Sequence, residues 1–316
     1  MRFFRAVLWI LQAVSPRAAA WLAERRFFTA RRTSLSPAAR AFLANARRFT
    51  LSVDGRRVTG WRWAEGKDEA PVVYLVHGWS SRGVRLAAFT EPLRDAGYAV
   101  VTYDAPGHGA SGRGMSSMPE FARTLAAVVA HQGRGRSPHA VIAHSLGCSA
   151  TSLALLWGLE AQRLVFLAPA ADPPAWVAPF VRALALRPQT LDLLRTRNER
   201  RIRYRWADLN VCDIARSMSR RPSLLVVHDE SDETVRWQDG AAIAAAWPDS
   251  RLVTTQGLGH RGVTSDARVV REAVTFIGGD RPETAIPTDE AGRLEYEMFF
   301  REERRTLNAA TEHVAG

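Results

Sequence analysis

The 316-residue chain is 47% hydrophobic and 24% charged, a composition that suits one large globular domain or two small ones and excludes a disordered chain. Its two cysteines exclude a disulfide scaffold and a cysteine-based zinc site, and they fit a reducing compartment. The net charge of +11 is confined to residues 1–62, which hold 13 arginines and two acidic residues, whereas the rest of the chain has 30 basic and 30 acidic side chains. The main part of the chain therefore has no electrostatic reason to bind nucleic acid.

Residues 1–48 predict a basic, apolar helical segment, called here the lead segment. Ala6–Val14 is an apolar run flanked by arginines, and it is too short to cross a bilayer core, which needs about 20 helical residues. Ser15-Pro16 and Ser36-Pro37 each combine an N-cap residue with a proline at the first helical position. The pattern therefore predicts an apolar first helix and two further helices.

Three hypotheses account for the lead segment. The first is a secretory signal peptide, since a charged start and a short apolar run are present. In the second, the helices pack on the main domain and their arginines are solvated. In the third, the segment lies on an anionic membrane surface, where each arginine contributes about 1 kcal/mol to the binding free energy. The membrane hypothesis predicts a cytoplasmic protein in peripheral contact with the inner membrane. The apolar residues that would then enter the lipid interface are Trp9, Ile10, Leu11, Trp21, Phe27 and Phe28.

Residues 49–279 predict one α/β domain. Two β-rich runs flank Asp54-Gly55, which is a hairpin turn signal. Further runs are apolar on both faces and alternate with helical stretches, a pattern typical of parallel strands that are covered on both sides. These runs are residues 72–76, 98–104, 140–143, 163–168, 223–228 and 251–255. We therefore predict a mostly parallel sheet with helices on both faces.

Two intervals depart from this alternation. Residues 172–216 are too many for one crossover helix and carry apolar and arginine-rich stretches, which predicts a small helical cap inserted over the sheet. After Gly279 the composition turns polar. Residues 280–316 are therefore predicted to be an appendage, with a charged helix over 289–312.

A serine lies where the strand over 140–143 turns into a helix. The segment His144-Ser145-Leu146-Gly147 places Ser145 at the apex of a sharp strand–turn–helix, where the residues two before and two after it must be small. They are Ala143 and Gly147, whereas the usual motif has glycine at both positions. This context predicts that Ser145 is a nucleophile.

A serine hydroxyl needs a base to take its proton and an acid to orient that base. His260 lies in a glycine-rich loop after the last strand, and this loop can bring the histidine over the sheet to Ser145. Asp232 follows the strand over 223–228 and is the predicted acid. Four other acidic residues compete with it for this role: Asp229, Glu230, Glu233 and Asp172.

The chain order Ser145, Asp232, His260 resembles that of the α/β-hydrolase family, and the resemblance covers about residues 49–279. It is a resemblance to bacterial members with an apolar, arginine-rich lead segment. Further marks that agree with it are His77-Gly78-Trp79, the Asp-Ala-Pro-Gly-His-Gly-Ala-Ser loop at 104–111 and the Gly-Leu-Gly-His loop at 257–260.

The resemblance implies a serine hydrolase that cleaves a carboxylic ester or thioester through an acyl-enzyme. It also implies that the backbone N–H groups of Trp79 and Leu146 form the oxyanion hole. The apolar acyl part of the substrate is predicted to contact Trp79, Trp176, Phe180 and Trp206. No metal or other cofactor is expected, and the remaining histidines of the site loops, His77, His108 and His144, are predicted to be structural.

Two alternatives stay open. One is an acyltransferase or a C–C hydrolase that uses the same site. The other is a non-catalytic member of the fold that serves as a binding or scaffolding domain, although such a member usually loses one residue of the triad.

Overall fold

The computed structural model describes residues 2–32, 34–64 and 69–279. One eight-stranded sheet has the order β1-β2-β4-β3-β5-β6-β7-β8. Its first two neighbour contacts, β1 with β2 and β2 with β4, are antiparallel, and all the others are parallel. The strands are β1 (Arg47–Val53), β2 (Arg56–Trp63), β3 (Val72–Val76), β4 (Ala99–Asp104), β5 (Ala140–His144), β6 (Arg163–Leu167), β7 (Ser223–Asp229) and β8 (Ser250–Thr255). The predicted mostly parallel sheet is confirmed.

Twelve α-helices accompany the sheet in the part of the chain that the structure describes. Before the sheet and along its first half these are α1 (Arg2–Val14), α2 (Pro16–Phe27), α3 (Pro37–Ala44), α4 (Thr90–Asp95), α5 (Met118–Gly133) and α6 (Leu146–Leu156). After β6 come α7 (Pro173–Leu184), α8 (Pro188–Ile202), α9 (Val211–Ser217), α10 (Trp237–Ala246), α11 (Gly259–Gly262) and α12 (Ala267–Gly278). Short 3-10 helices cover Gly83–Phe89 and Trp206–Leu209.

The helices divide between the two faces of the sheet, because strand side chains alternate between faces. In β3, Tyr74 belongs to the apolar cluster that also contains residues of α5, α6 and α10. Its neighbours Val73 and Leu75 belong to a second cluster, which contains residues of α3, α4 and α12. All three of these strand side chains are buried. The predicted cover of helices on both faces is confirmed.

Between β6 and β7 the chain forms α7, α8, the 3-10 helix Trp206–Leu209 and α9. We refer to these helices as the cap. The indole N–H of Trp206 donates to Asn198 Oδ1 at 2.8 Å, which joins the 3-10 helix to α8. The predicted charged helix over 289–312 lies outside the described residues.

The lead segment packs on the body of the protein. Leu8 of α1 and Ala19, Ala20 and Ala23 of α2 are fully buried in the same cluster as the cap residue Leu194. Helices α2 and α3 begin at Pro16 and Pro37, where the sequence predicts helix starts. The side chains of Ser15 and Ser36 cap these two helices. Within residues 2–32, 34–64 and 69–279 no helix combines the length and apolarity needed to cross a bilayer.

Candidate active site

The backbone at Ser145 forms the sharp turn that its sequence context predicts. Ser145 has φ 54° and ψ −123° between β5 and α6, a strained conformation for a residue with a side chain. A Cβ added to Gly147 would lie 2.7 Å from the backbone oxygens of Val76 and His77, so only glycine fits there. At the other small position, Ala143 is accommodated within β5 and is fully buried.

His260 lies in the short helix α11, which follows the glycine-containing loop after β8. Its Nε2 is 3.1 Å from Ser145 Oγ, and its Nδ1 is 2.7 Å from Asp232 Oδ2. The His144 ring lies beside the His260 ring, and its Nε2 donates to the backbone oxygen of His260 at 2.9 Å. The chain therefore brings Ser145, His260 and Asp232 into one continuous hydrogen-bonded row.

The Asp232 carboxylate is held from several directions. Its Oδ1 accepts backbone N–H groups of Thr234 and Val235 at 2.8 and 2.9 Å, and its Oδ2 lies 3.3 Å from His228 Nε2. Burial by itself raises the pKa of Asp232, but the hydrogen bonds from His228 and His260 outweigh burial and hold that pKa well below its ordinary value. The ionised carboxylate then accepts from His260 Nδ1–H, which leaves Nε2 to accept the serine proton.

The competing acidic residues are placed differently. Asp229 Oδ2 accepts from Thr255 Oγ1 at 2.7 Å and from the Leu258 N–H at 2.9 Å, so it fixes the loop that carries His260. Asp172 lies at the N-cap position of α7. The other two, Glu230 and Glu233, have exposed side chains. Of the five candidate acids, Asp232 is the one that meets His260.

Two buried histidines order the loops beside Ser145. His77 Nε2 accepts from the Ala105 N–H at 2.9 Å, and its Nδ1–H donates to the Gly78 oxygen at 2.7 Å. His108 Nε2 accepts from the Ser80 N–H at 3.0 Å, and its Nδ1–H donates to the Pro106 oxygen. Both rings are therefore neutral parts of the framework. Burial lowers the pKa of His77 to about 4 and that of His108 to about 3.

These depressed values predict how stability changes with pH. In the unfolded chain both histidines bind a proton near pH 6.5, whereas in the folded protein His77 and His108 stay neutral until about pH 4 and 3. The unfolded state therefore binds more protons as the pH falls, and the free energy of unfolding decreases from about pH 6.5 downward. Between pH 7.5 and 5 each histidine contributes a loss of about 2 kcal/mol.

Urea unfolding of the wild type and of His77→Gln at pH 7.5 and at pH 5 measures this effect. The variant should be less stable at pH 7.5, and its further loss at pH 5 should be about 2 kcal/mol smaller than that of the wild type. An equal pH-dependent loss in the two proteins would contradict the assignment.

A cavity of about 410 Å³ opens at Ser145 and His260, a volume within the range of small-molecule sites. Three of the four predicted substrate-contacting residues line it, namely Trp79, Trp176 and Trp206. Phe180 is placed elsewhere: its ring packs on Phe27 at 4.7 Å between centroids, and Phe27 is the residue that lines the cavity. Phe180 therefore contacts a residue of the cavity wall and does not itself line the cavity.

Phe27 and Phe28 are the cavity residues that sequence reasoning assigned to another role. Both were expected in a lipid interface, yet both line the cavity together with Ser145. No local pattern distinguishes the two roles, because an apolar pair at the end of a helix suits lipid and cavity alike. Among the described residues, no group of three or more His, Cys, Asp or Glu side chains could hold a metal ion.

Comparison with known proteins agrees with this architecture. A family model described as serine aminopeptidase, S33, matches residues 67–217. None of the curated proteins compared with the chain matches it. The matched range contains Ser145 but neither Asp232 nor His260, so the pairing of the last two rests on the geometry above.

Solved structures resemble the chain over most of their own length. An esterase of Pyrococcus furiosus has a TM-score of 0.57 at 16% identity, over 79% of this chain and 95% of that one. An esterase of a Rhodococcus species has a TM-score of 0.53 at 19% identity, over 74% and 99%. An enzyme described as degrading N-acyl homoserine lactones has a TM-score of 0.57 at 18% identity, over 72% and 99%. At these identities the likeness establishes the fold.

Proposed function

We propose that this chain, an α/β-hydrolase by fold, is a serine hydrolase that cleaves a carboxylic ester or thioester through an acyl-enzyme. One observation carries the proposal: His260 lies 3.1 Å from Ser145 Oγ and 2.7 Å from Asp232 Oδ2, and the serine opens onto a cavity. A nucleophile, a base and an orienting acid within hydrogen-bond reach are what acyl transfer requires.

In the proposed reaction, His260 Nε2 takes the proton from Ser145 Oγ as that oxygen attacks the substrate carbonyl carbon. The negative charge on the carbonyl oxygen is held by the N–H groups of Leu146 and Trp79. Leu146 begins α6, and the first N–H groups of a helix have no partner within it. Trp79 follows Gly78, which approaches Ser145 so closely that an added Cβ would lie 2.9 Å from the serine Cβ.

The imidazolium, stabilised by Asp232, then donates its proton to the leaving oxygen or sulfur, and the acyl group stays on Ser145. A water molecule that gives its proton to His260 Nε2 attacks the acyl carbonyl next. Collapse of that second tetrahedral intermediate breaks the bond to the serine oxygen, which regains the proton, and a carboxylic acid leaves. The negative charge of Asp232 persists throughout, in keeping with the hydrogen bonds that hold its pKa low.

The cavity lining supports an apolar acyl part. Five aromatic side chains line it, and they come from three parts of the chain: Phe27 and Phe28 from the lead segment, Trp79 from the loop after β3, and Trp176 and Trp206 from the cap. Aromatic surface favours apolar groups because their burial removes apolar area from water.

Hydrolysis of p-nitrophenyl esters and acyl thioesters of graded chain length tests the proposal, with Ser145→Ala as the matched control. Turnover by the wild type but not by the variant is expected. Acyl transfer is read in the same assay by adding an alcohol or amine acceptor and detecting the new ester or amide. If the wild type and Ser145→Ala gave equal rates with every ester and thioester, the proposed hydrolase function would be wrong. The non-catalytic binding domain would then be the remaining hypothesis.

We also infer that the outward face of the lead segment contacts anionic membrane. In α1, Phe3, Trp9, Ile10 and Val14 are 83%, 62%, 55% and 78% exposed. Phe3, Ile10 and Val14 recur at helical spacing on the side away from buried Leu8, and Trp9 lies between this stripe and Leu8. Arg5 of α1 and Arg17 at the start of α2 belong to the same segment, and their charges suit an interface with anionic head groups. The buried face of the same segment meets the body, so packing and membrane contact use different residues.

Co-sedimentation with phosphatidylglycerol vesicles tests the membrane contact. Replacing Trp9 and Ile10 together with serine should lower vesicle affinity at least about tenfold, because two large apolar side chains no longer enter the interface. Leu156→Ser is the matched control, since Leu156 is 40% exposed and lies outside the lead segment. Equal binding by the double variant and the control would overturn the inference.

A further inference from the structure

Phe27 and Phe28, together called the phenylalanine wall, belong to the lead segment and yet line the cavity that contains Ser145. Their rings meet edge to face at 4.8 Å between centroids. The family model begins at residue 67, after the whole lead segment. The phenylalanine wall therefore lies outside the part of the chain that the family model matches.

We propose that the phenylalanine wall sets the length of acyl chain that the cavity accepts. This inference rests on the proposed hydrolase function and names the specificity element of its site. The wall lines the same cavity as Trp79, Trp176 and Trp206. An acyl group bound at Ser145 would therefore lie among these tryptophans and the two phenylalanines of the lead segment.

The wall is held in place by polar contacts to the body. The Ser116 N–H donates to the backbone oxygen of Phe28 at 2.8 Å. The guanidinium of Arg201, from cap helix α8, lies over the Phe28 ring at 5.4 Å from its centroid. Such anchoring on two sides makes Phe28 a fixed boundary, since neither its backbone nor its ring can shift without breaking a contact.

Arg201 is itself part of a charged network that joins three elements. Its NH1 donates to Glu120 Oε2 of α5 at 3.1 Å, and its Nε lies 3.6 Å from Glu24 Oε1 of α2. Arg197 Nε donates to the other Glu24 oxygen at 3.2 Å. The Glu24 side chain is only 3% exposed, so its carboxylate is buried at the junction of lead segment and cap, whereas the Arg197 side chain is 45% exposed. Contacts among α8 of the cap, α5 and α2 therefore hold Arg201 in place beside the Phe28 ring.

Beyond the wall, the lead segment contacts the loops that follow β3 and β4, two neighbouring strands on one side of β5 and its nucleophile. The Arg31 N–H donates to Ser80 Oγ at 3.2 Å, one residue after Trp79. The guanidinium of Arg32 donates to the backbone oxygens of Ser111 and Gly109. Ser80 lines the cavity, so the contact made by Arg31, three residues after Phe28, fixes the lead segment beside the site.

Substitutions of opposite size at Phe28 test the proposal in the full-length protein. Phe28→Ala lengthens the cavity, so the ratio of kcat/KM for long over short p-nitrophenyl esters should rise about tenfold, mainly through KM. Phe28→Trp shortens it, and the same ratio should fall by a similar factor. A general loss of folding lowers both rates together and leaves the ratio unchanged. Trp9→Ala, on the outward face of the same segment, is the matched control and should retain the wild-type ratio.

A binding measurement tests the role of the phenylalanine wall in length selection independently of the proposed hydrolase function. In the Ser145→Ala background, methyl alkyl ketones of graded length are titrated against tryptophan fluorescence, which Trp79, Trp176 and Trp206 report from the cavity. A shift of the preferred ketone length with Phe28→Ala supports the wall even where no ester is cleaved. Unchanged length preference in both Phe28 variants, in esters and ketones alike, would overturn it.

Discussion

Replacing Ser145 with alanine is expected to lower kcat for the best ester by about 10⁵- to 10⁶-fold while the protein stays folded. The alanine removes the only oxygen at the turn that His260 contacts, at 3.1 Å, so no acyl-enzyme forms. His260→Ala should cost a similar factor, because the serine hydroxyl without its base is a weak nucleophile. The double variant should be no slower than either single one, since nucleophile and base act as a unit.

Steady-state hydrolysis of the preferred p-nitrophenyl ester measures these losses, and circular dichroism checks the fold. Ser149→Ala is the matched control: Ser149 lies one turn along α6, where its hydroxyl donates to the Ala170 oxygen. That variant should lose some stability and keep kcat. Additive losses in the Ser145 and His260 double variant would show that the two residues act independently, contrary to the mechanism.

Asp232→Asn is expected to lower kcat by about 10²- to 10⁴-fold with little change in stability. The asparagine oxygen can still accept the N–H groups of Thr234 and Val235 in place of Oδ1. Its NH₂ group then faces His260 Nδ1, which must accept rather than donate, so the imidazole proton moves to Nε2. A protonated Nε2 cannot take the serine proton, and the base is lost while its position is kept.

The same ester assay and the matched carboxylate variants decide the identity of the acid. Glu233→Gln and Asp172→Asn remove other acidic groups that the sequence offers, and both should stay within about twofold of the wild type. A large loss in Asp172→Asn together with full activity in Asp232→Asn would move the acid to the strand end after β6.

The sheet, and the edge of it at which Ser145, Asp232 and His260 lie, follow from the sequence for a physical reason. Runs that are apolar on both faces are compatible with few structures other than buried parallel strands, and their carboxyl ends meet at one edge of the sheet. The apolar run 98–104 accordingly becomes β4, at Ala99–Asp104. Residues that shortly follow such strands can therefore be assigned to that edge without knowing any long-range contact, whereas the choice of Asp232 among the competing acids rests on the resemblance to the α/β-hydrolase family.

The lead segment could not be placed in the same way. In α1 apolar residues lie on the buried side and on the exposed side alike, so periodicity does not tell which side meets protein. Leu8 is buried and Trp9 is exposed. Phe27 and Phe28, which the sequence analysis places in a lipid interface, line the cavity. That outcome depends on long-range contacts such as Ser116 N–H to the Phe28 oxygen, which no local pattern encodes.

The proposed mechanism requires that Ser145 is a nucleophile and that His260 activates it. Labelling of the native full-length protein with a fluorophosphonate probe, followed by mass spectrometry of the modified peptide, tests this requirement. The mechanism predicts one adduct, on Ser145, formed rapidly in the wild type, strongly slowed in His260→Ala and absent in Ser145→Ala. Labelling that persists in Ser145→Ala, or an adduct on another residue of the wild type, would contradict it.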